Sequence, residues 1–143
     1  MSPYYGLGTA EEILANLETV LNTVTGIQFV DYQRIEASGV DPSKYPGCFI
    51  NSVSTDKERL LKDLVKNAFG VSLILWIWAK EDEDLATKMN LFIDEVKDKV
   101  MTDPTRNDQA YDSIIENVST DAGSRHPQGM CIINMAIIFY SEE

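Results

Sequence analysis

"VSLILWIWAKEDED", Val71 to Asp84, decides how this chain folds. In an extended strand its side chains divide cleanly. Val71, Leu73, Leu75, Ile77 and Ala79 project to one side, and Ile74, Trp76 and Trp78 project to the other with Ser72. Both sides are apolar, so the strand needs a cover on each. The nine apolar-rich residues from Val71 to Ala79 fall well short of the roughly 20 that a membrane-spanning helix requires. The acids that break the run, Glu81, Asp82, Glu83 and Asp84, suit the start of a helix, where negative charge complements the macrodipole. With Asp82 or Asp84 as cap, Leu85, Met89, Phe92, Ile93, Val96 and Val100 fall on one helical face. Asp103-Pro104 ends that helix, because a residue before proline is pushed out of the α region.

Upstream, Thr9-Ala10-Glu11-Glu12 has the form of a capping box, and Ile13, Leu14, Leu17, Val20, Leu21 and Val24 recur behind it at helical spacing. Gly26 supplies the stop. Ile27–Ala37 is rich in β-branched and aromatic residues and reads as a strand; residues 38–44 form a loop. Tyr45-Pro46 leads into a second strand, "GCFINSV". In Asp56–Asn67, with Ala68, the apolar residues Leu60, Leu61, Leu64, Val65 and Ala68 match a helical face and predict a short helix. Beyond the second main helix, Ser113–Thr120 predicts a modest strand, "DAGSRHPQG" a loop and "MCIINMAIIFYS" a strong closing strand. The order predicts a single α+β domain over residues 9–143, an antiparallel or mixed β-sheet with two main helices packed on one face. Residues 1–8 read as a flexible N-terminal arm.

Bulk composition narrows the function. The 143 residues fit one domain with a real core, and 44% apolar with 24% charged residues is ordinary for a globular chain. A net charge of −11 opposes any function that works by neutralising phosphates. Cys48 and Cys131 sit inside apolar stretches and read as buried, reduced thiols. The N-terminus has neither the basic segment nor the apolar stretch of a signal peptide, so the Asn117-Val118-Ser119 sequon carries no expectation of glycosylation.

Chemistry finds little purchase. His126 is the single histidine and the two cysteines lack CxxC spacing, which leaves zinc without a ligand set. The acidic clusters lack the alternating pattern and central glycine of a calcium loop. No GxSxG, P-loop or GxGxxG string is present, and His126 stands in a loop before Pro127. The expectation is a protein that is not an enzyme and needs no metal or cofactor.

Several short features occur in a suggestive order: a helix ending in Gly26-Ile27, "YPGCFI" (Tyr45–Ile50), "FGVSLILWIWA" (Phe69–Ala79), a helix closing in "VMTDPT" (Val100–Thr105), and "TDAGSRHPQGMCIINMAIIFY" (Thr120–Tyr140). From about Ala10 to Tyr140 the chain resembles the tail terminator, or tail-completion, family of long-tailed bacteriophages. Two features depart from it: Asp56–Asn67 is longer and more helix-like than a simple hairpin, and the aromatic start, Tyr4-Tyr5, has no counterpart. The resemblance implies a non-catalytic ring, usually hexameric, that caps the tail tube, ends its growth and presents a docking face to the neck. Implied partners are further copies of itself, the tail tube protein and a neck or connector protein, with DNA passing through the lumen unbound and no membrane. It implies a place at the head-proximal end of the virion tail, after assembly in the host cytoplasm.

The residues themselves offer candidates for such surfaces. Ile74, Trp76 and Trp78 form the second apolar side of the central strand, and tryptophan is enriched at interface hot spots. Glu81, Asp82, Glu83 and Asp84 suit an acidic lumen or rim that repels phosphates. Asp121, Arg125 and His126 stand in the loop before the closing strand. Two alternatives remain open: a head–tail connector or stopper ring of the neck, and a small acidic enzyme or ligand-binding domain with a pocket under the sheet.

Overall fold

A computed structural model describes residues 8–32, 45–79, 84–121 and 128–142. Its element order is α1 (Ala10–Leu21), β1 (Phe29–Tyr32), β2 (Gly47–Leu61), β3 (Leu64–Trp78), α2 (Leu85–Thr102), β4 (Asp112–Thr120) and β5 (Gln128–Glu142). The strands form one sheet in the order β1-β2-β3-β5-β4, with β1 parallel to β2 and every other pair antiparallel. The chain is an α+β domain with a mixed sheet.

The central strand behaves as its alternation requires. Val71, Leu73, Leu75 and Ile77 join Cys48 and Ile50 of β2 and Cys131, Ile133, Met135 and Ile137 of β5 in the main core. Both helices press on that face, α1 through Ile13, Leu17 and Leu21, and α2 through Leu85, Met89, Phe92, Ile93, Val96 and Val100. Helix α1 opens with the capping box: the Glu12 amide donates to Thr9 Oγ1 at 3.2 Å while the Thr9 amide donates to Glu12 Oε1 at 3.2 Å. It ends at Leu21, ahead of Gly26, whose φ of +79° shapes the turn into β1. Asp84 caps α2, accepting from the amides of Ala86 and Thr87 at 3.0 and 3.4 Å.

One expectation is overturned. Asp56–Asn67 is not a helix; it is the tip of a β2–β3 hairpin in which Leu61 pairs with Leu64 around Lys62-Asp63. Leu60 and Leu61, which match a helical face, are exposed on the hairpin and Leu64 is half-buried, whereas Val65, Asn67 and Phe69 are buried at a period of two. Pairing with both β2 and β5 outweighs local helix propensity here. The first strand is described over Phe29–Tyr32 only, and residues 33–37 of the expected Ile27–Ala37 strand lie outside the described residues. So do residues 38–44 and residues 1–7 of the expected arm; Gly8 is buried and donates to the Gln109 carbonyl at 3.0 Å.

Cys48 and Cys131 both lie opposite Leu75, one on either flank of β3. That places them two strand spacings apart, about 9.6 Å, beyond the reach of a disulfide. Both are free and fully buried. Burial pushes the Cys48 thiol far above its ordinary value and Cys131 up to about 11.

Helix α2 ends on an unusual cap. Arg106, fully buried, donates from its guanidinium to the carbonyls of Val100 in the last turn and of the cap residue Asp103. Arg106, Asn107 and Asp108 all adopt positive φ, so this turn returns the chain sharply toward β4. Asp103 holds the turn by accepting from the amides of Thr105 and Asn107 at 3.0 and 2.9 Å. The Thr105 hydroxyl bond is the main cause that draws the Asp103 carboxyl below its usual value.

Candidate interaction surfaces

The second side of the central strand forms a smaller core of its own. Ile74 and Trp76 are 2% and 3% exposed and pack with Tyr45 and Phe49, flanked by Phe29, Trp78, Met130 and Ile132. Phe29 and Phe49 lie 5.0 Å apart in a tilted pair, and Tyr45 stacks on Trp78 at 5.8 Å. Phe29 and Gly47 are register partners, and a Cβ on Gly47 would approach the Phe29 ring to 1.9 Å, so only glycine fits there. The Nε1–H of Trp76 is buried without a hydrogen-bond partner among the described residues. Ile74 and Trp76 are thus enclosed within the chain itself, and Trp78, half-buried, is the member of the trio that reaches the surface.

Trp78 borders a cleft of about 350 Å³ lined also by Tyr45, Lys88, Leu91 and Glu95. Lys88 Nζ donates to the Trp78 carbonyl at 2.9 Å, and Glu95 Oε1 accepts from the Thr25 amide at 2.9 Å, so both charges are engaged in holding α2 to its neighbours. Gln128 Nε2 donates to the Tyr45 hydroxyl at 2.8 Å. Burial raises the Tyr45 pKa, against the lowering effect of that bond. Leu91, 67% exposed, stands at the mouth.

Beyond the aromatic cluster a polar row crosses the same face. Ser72 Oγ donates to Asn134 Oδ1 at 2.6 Å, and Asn134 Nδ2 donates to Asn117 Oδ1 at 2.8 Å, linking β3, β5 and β4. Ser72 and Asn134 are the polar interruptions of otherwise apolar strands, and that was the legible signal of the row. Past it the face carries Ser54, Asp56 and Glu58 from β2, Lys66, Ala68 and Gly70 from β3, and Ala136, Ile138 and Tyr140 from β5.

The remaining acidic and loop candidates divide. Asp84 is the helix cap, and its carboxyl is held below the ordinary range chiefly by the Thr87 hydroxyl, which donates to Asp84 Oδ2 at 3.0 Å. Asp121 Oδ2 accepts from the Met130 amide at 3.3 Å and so fastens β4 to the start of β5. Glu81, Asp82, Glu83, Arg125 and His126 lie outside the described residues. Among the described residues, no group of three His, Cys, Asp or Glu side chains is placed to hold a metal, and no helix is long and apolar enough to cross a membrane.

What sequence reading did not single out is the pair of sheet edges. The short strand β1 covers β2 only from Gly47 to Ile50, and Tyr32 ties β1 to α1 by donating to Glu18 Oε2 at 2.6 Å. From Ser52 to Leu61 every β2 residue is exposed, and among the described residues no strand pairs with its outer side. At the opposite end, among the described residues, β4 pairs with β5 alone, and Ile114 is 47% exposed. The register shifts at Val53 and at Leu60 in β2, and at Glu116 in β4. No protein-family model matches the chain, and comparison with curated proteins finds no match.

Proposed function

We propose that the chain is a structural assembly subunit that closes into a ring, and that the ring caps a phage tail tube, ending its growth and offering a docking face to the neck. The observation that supports this most is that, among the described residues, no strand pairs with the outer side of two unlike stretches at opposite ends of the sheet, Ser54–Leu61 of β2 and Asp112–Thr120 of β4. Unpaired strand edges are templates for another chain, and a subunit bearing two different ones at opposite ends can join head to tail. The net charge of −11 suits a ring through which DNA moves without adhering. The tail assignment itself rests on the sequence resemblance, and a neck connector ring would share the same subunit geometry.

The test is capping. Purified protein added to polymerising tail tube subunits stops growth at stoichiometric amounts and is retained at one tube end, seen by gold-labelled electron microscopy. Growth at an unchanged rate, with no protein at tube ends, contradicts the tail role. A second reading, a ligand-binding domain, is favoured by the cleft beside Trp78 and Tyr45. It predicts saturable quenching of tryptophan fluorescence by an aromatic or apolar small molecule, abolished by Trp78→Ala.

A further inference from the structure

We propose that the helix-free face of the sheet carries a site for an arginine side chain presented by another protein, its stem lying over Gly70 and its guanidinium pairing with Glu116. The site does not depend on the ring reading, since one subunit carries all of it. Gly70 stands within β3, the central strand of the sheet, where a glycine forfeits side-chain packing and weakens the strand. The other described glycines have a reason to be glycine. A Cβ would meet Gln109 at 2.5 Å on Gly8, Phe29 at 1.9 Å on Gly47 and Met89 at 2.9 Å on Gly129, while Gly26 has a φ of +79°. No positive φ constrains Gly70, and the nearest atom to a Cβ there is the Ser54 carbonyl oxygen at 3.4 Å, an ordinary contact. The fold does not require this glycine; its missing side chain leaves room for another group to approach the backbone.

That room is a trough of about 260 Å³ that crosses β2, β3, β5 and β4. Two register shifts shape its ends. Val53 bulges opposite Gly70 and Val71, Glu116 bulges opposite Asn134 and Met135, and Val71 pairs with Met135, so β2 and β4 bend at one level. The β4 bulge brings Glu116 and its neighbour Asn117 to line the same trough. One wall is the polar row, whose amides are held by the bonds from Ser72 to Asn134 and from Asn134 to Asn117. The Glu116 carboxylate is exposed and has no partner among the described residues, so it is the acceptor left over. Charge selects the ligand. The register sets Asp56 and Asp112 at opposite ends of the next row, across Ala68 and Ile138, with Glu58 one row further. Lys66 is the one cation that the described strands place on this face, so a positive group is attracted. Length and shape then favour arginine. Gly70 and β4 are two strand spacings apart, about 9.6 Å, a gap that a long side chain lying across the sheet bridges as Glu116 reaches toward it. A guanidinium at its end meets the carboxylate through two parallel hydrogen bonds, which an ammonium cannot do.

The experiment titrates capped arginine, N-acetyl-arginine methylamide, into the isotope-labelled full chain and follows it by NMR. Saturable shifts are expected at the Gly70 backbone amide and at the Asn117 and Asn134 side-chain amides, with probe in the millimolar range. Capped citrulline, the uncharged isostere, produces none, and capped lysine binds more weakly. Glu116→Gln lowers the affinity for capped arginine roughly tenfold, the loss expected when a hydrogen-bonded charge is neutralised. Gly70→Ala melts no lower than the natural chain, because its methyl makes only ordinary contacts, yet it loses the saturable shifts because that methyl stands on the trough floor. A natural chain without saturable shifts overturns the site. So do citrulline binding as tight as arginine, full affinity in Glu116→Gln, and shifts spread evenly over the acidic surface. Gly70→Ala that binds unchanged overturns the role of the glycine and with it the placement of the stem. If Gly70→Ala is destabilised, Glu116→Gln, at an exposed position, decides: a tenfold loss supports the site and unchanged affinity refutes it.

Discussion

Replacing Trp76 by alanine tests whether the second face of the sheet is a core in its own right. At 3% exposure the indole is almost wholly removed from water. A buried tryptophan hides about 150–250 Å², worth roughly 4–6 kcal/mol at about 25 cal/mol per Å². Large-to-small replacements of this kind cost about 3–5 kcal/mol. Trp76→Phe gives the sharper contrast. It sacrifices roughly a third of that area, about 1–2 kcal/mol, but it also removes an Nε1–H that is buried without a partner among the described residues. Relief of that unmet donor returns about 1–3 kcal/mol, so the phenylalanine variant stays within about 1 kcal/mol of the natural chain. Urea unfolding followed by far-UV circular dichroism measures both, at a concentration where all proteins share one oligomeric state. An alanine variant that loses less than about 1 kcal/mol would show that Trp76 is not enclosed by its own chain. A phenylalanine variant as damaged as the alanine one would show that the indole N–H has a partner after all.

Other consequences are more local. Trp78→Ala removes a half-buried ring stacked on Tyr45 and costs less than Trp76→Ala, about 1–2 kcal/mol by the same urea titration; equal losses would put both rings in one core. Gly47→Ala drives a Cβ into the Phe29 ring and destabilises the chain by about 1–3 kcal/mol, whereas an unchanged melting temperature would mean that β1 does not sit on β2 as described. Arg106→Met removes the guanidinium donors from the carbonyls of Val100 and Asp103 and lowers the melting temperature, by an amount corresponding to about 2–4 kcal/mol; a neutral effect would remove the guanidinium from the helix cap. The Asp84 carboxyl titrates below its unfolded value, so its contribution is complete above that value and disappears as pH falls through the folded one. Asp84→Ala therefore lowers the melting temperature at neutral pH and converges with the natural chain in acid. Neither cysteine reacts with a thiol reagent at pH 8 until the protein opens, because both are buried and Cys131 titrates near 11; immediate reaction of one equivalent would place a thiol at the surface.

The parts of the fold legible in sequence were those in which one local pattern has one physical solution. Thr9 and Glu12 can cap each other only at a helix start, and the Val71–Ala79 alternation with two apolar sides implies a strand covered twice. The hairpin tip was misread because Leu60, Leu61, Leu64 and Val65 satisfy a helical period and a hairpin equally well; pairing with β5, far away in sequence, decides between them. The site was less legible still. Trp76 and Trp78 look alike in sequence, yet Trp76 is enclosed and Trp78 borders the cleft, a difference set by residues far away in sequence that pack on this face, Phe29, Tyr45, Phe49, Met130 and Ile132. An open edge is a property of strand order, which no residue pattern within β2 or β4 encodes.

Amide hydrogen exchange at protein concentrations below and above assembly tests the edge-to-edge ring most directly. The account predicts that assembly slows exchange in Ser54–Leu61 and Asp112–Thr120 together, as the outer amides of both edges gain partners. Protection that arises in only one of these strands, or over the outer surface of α2 while both edges go on exchanging freely, would contradict it.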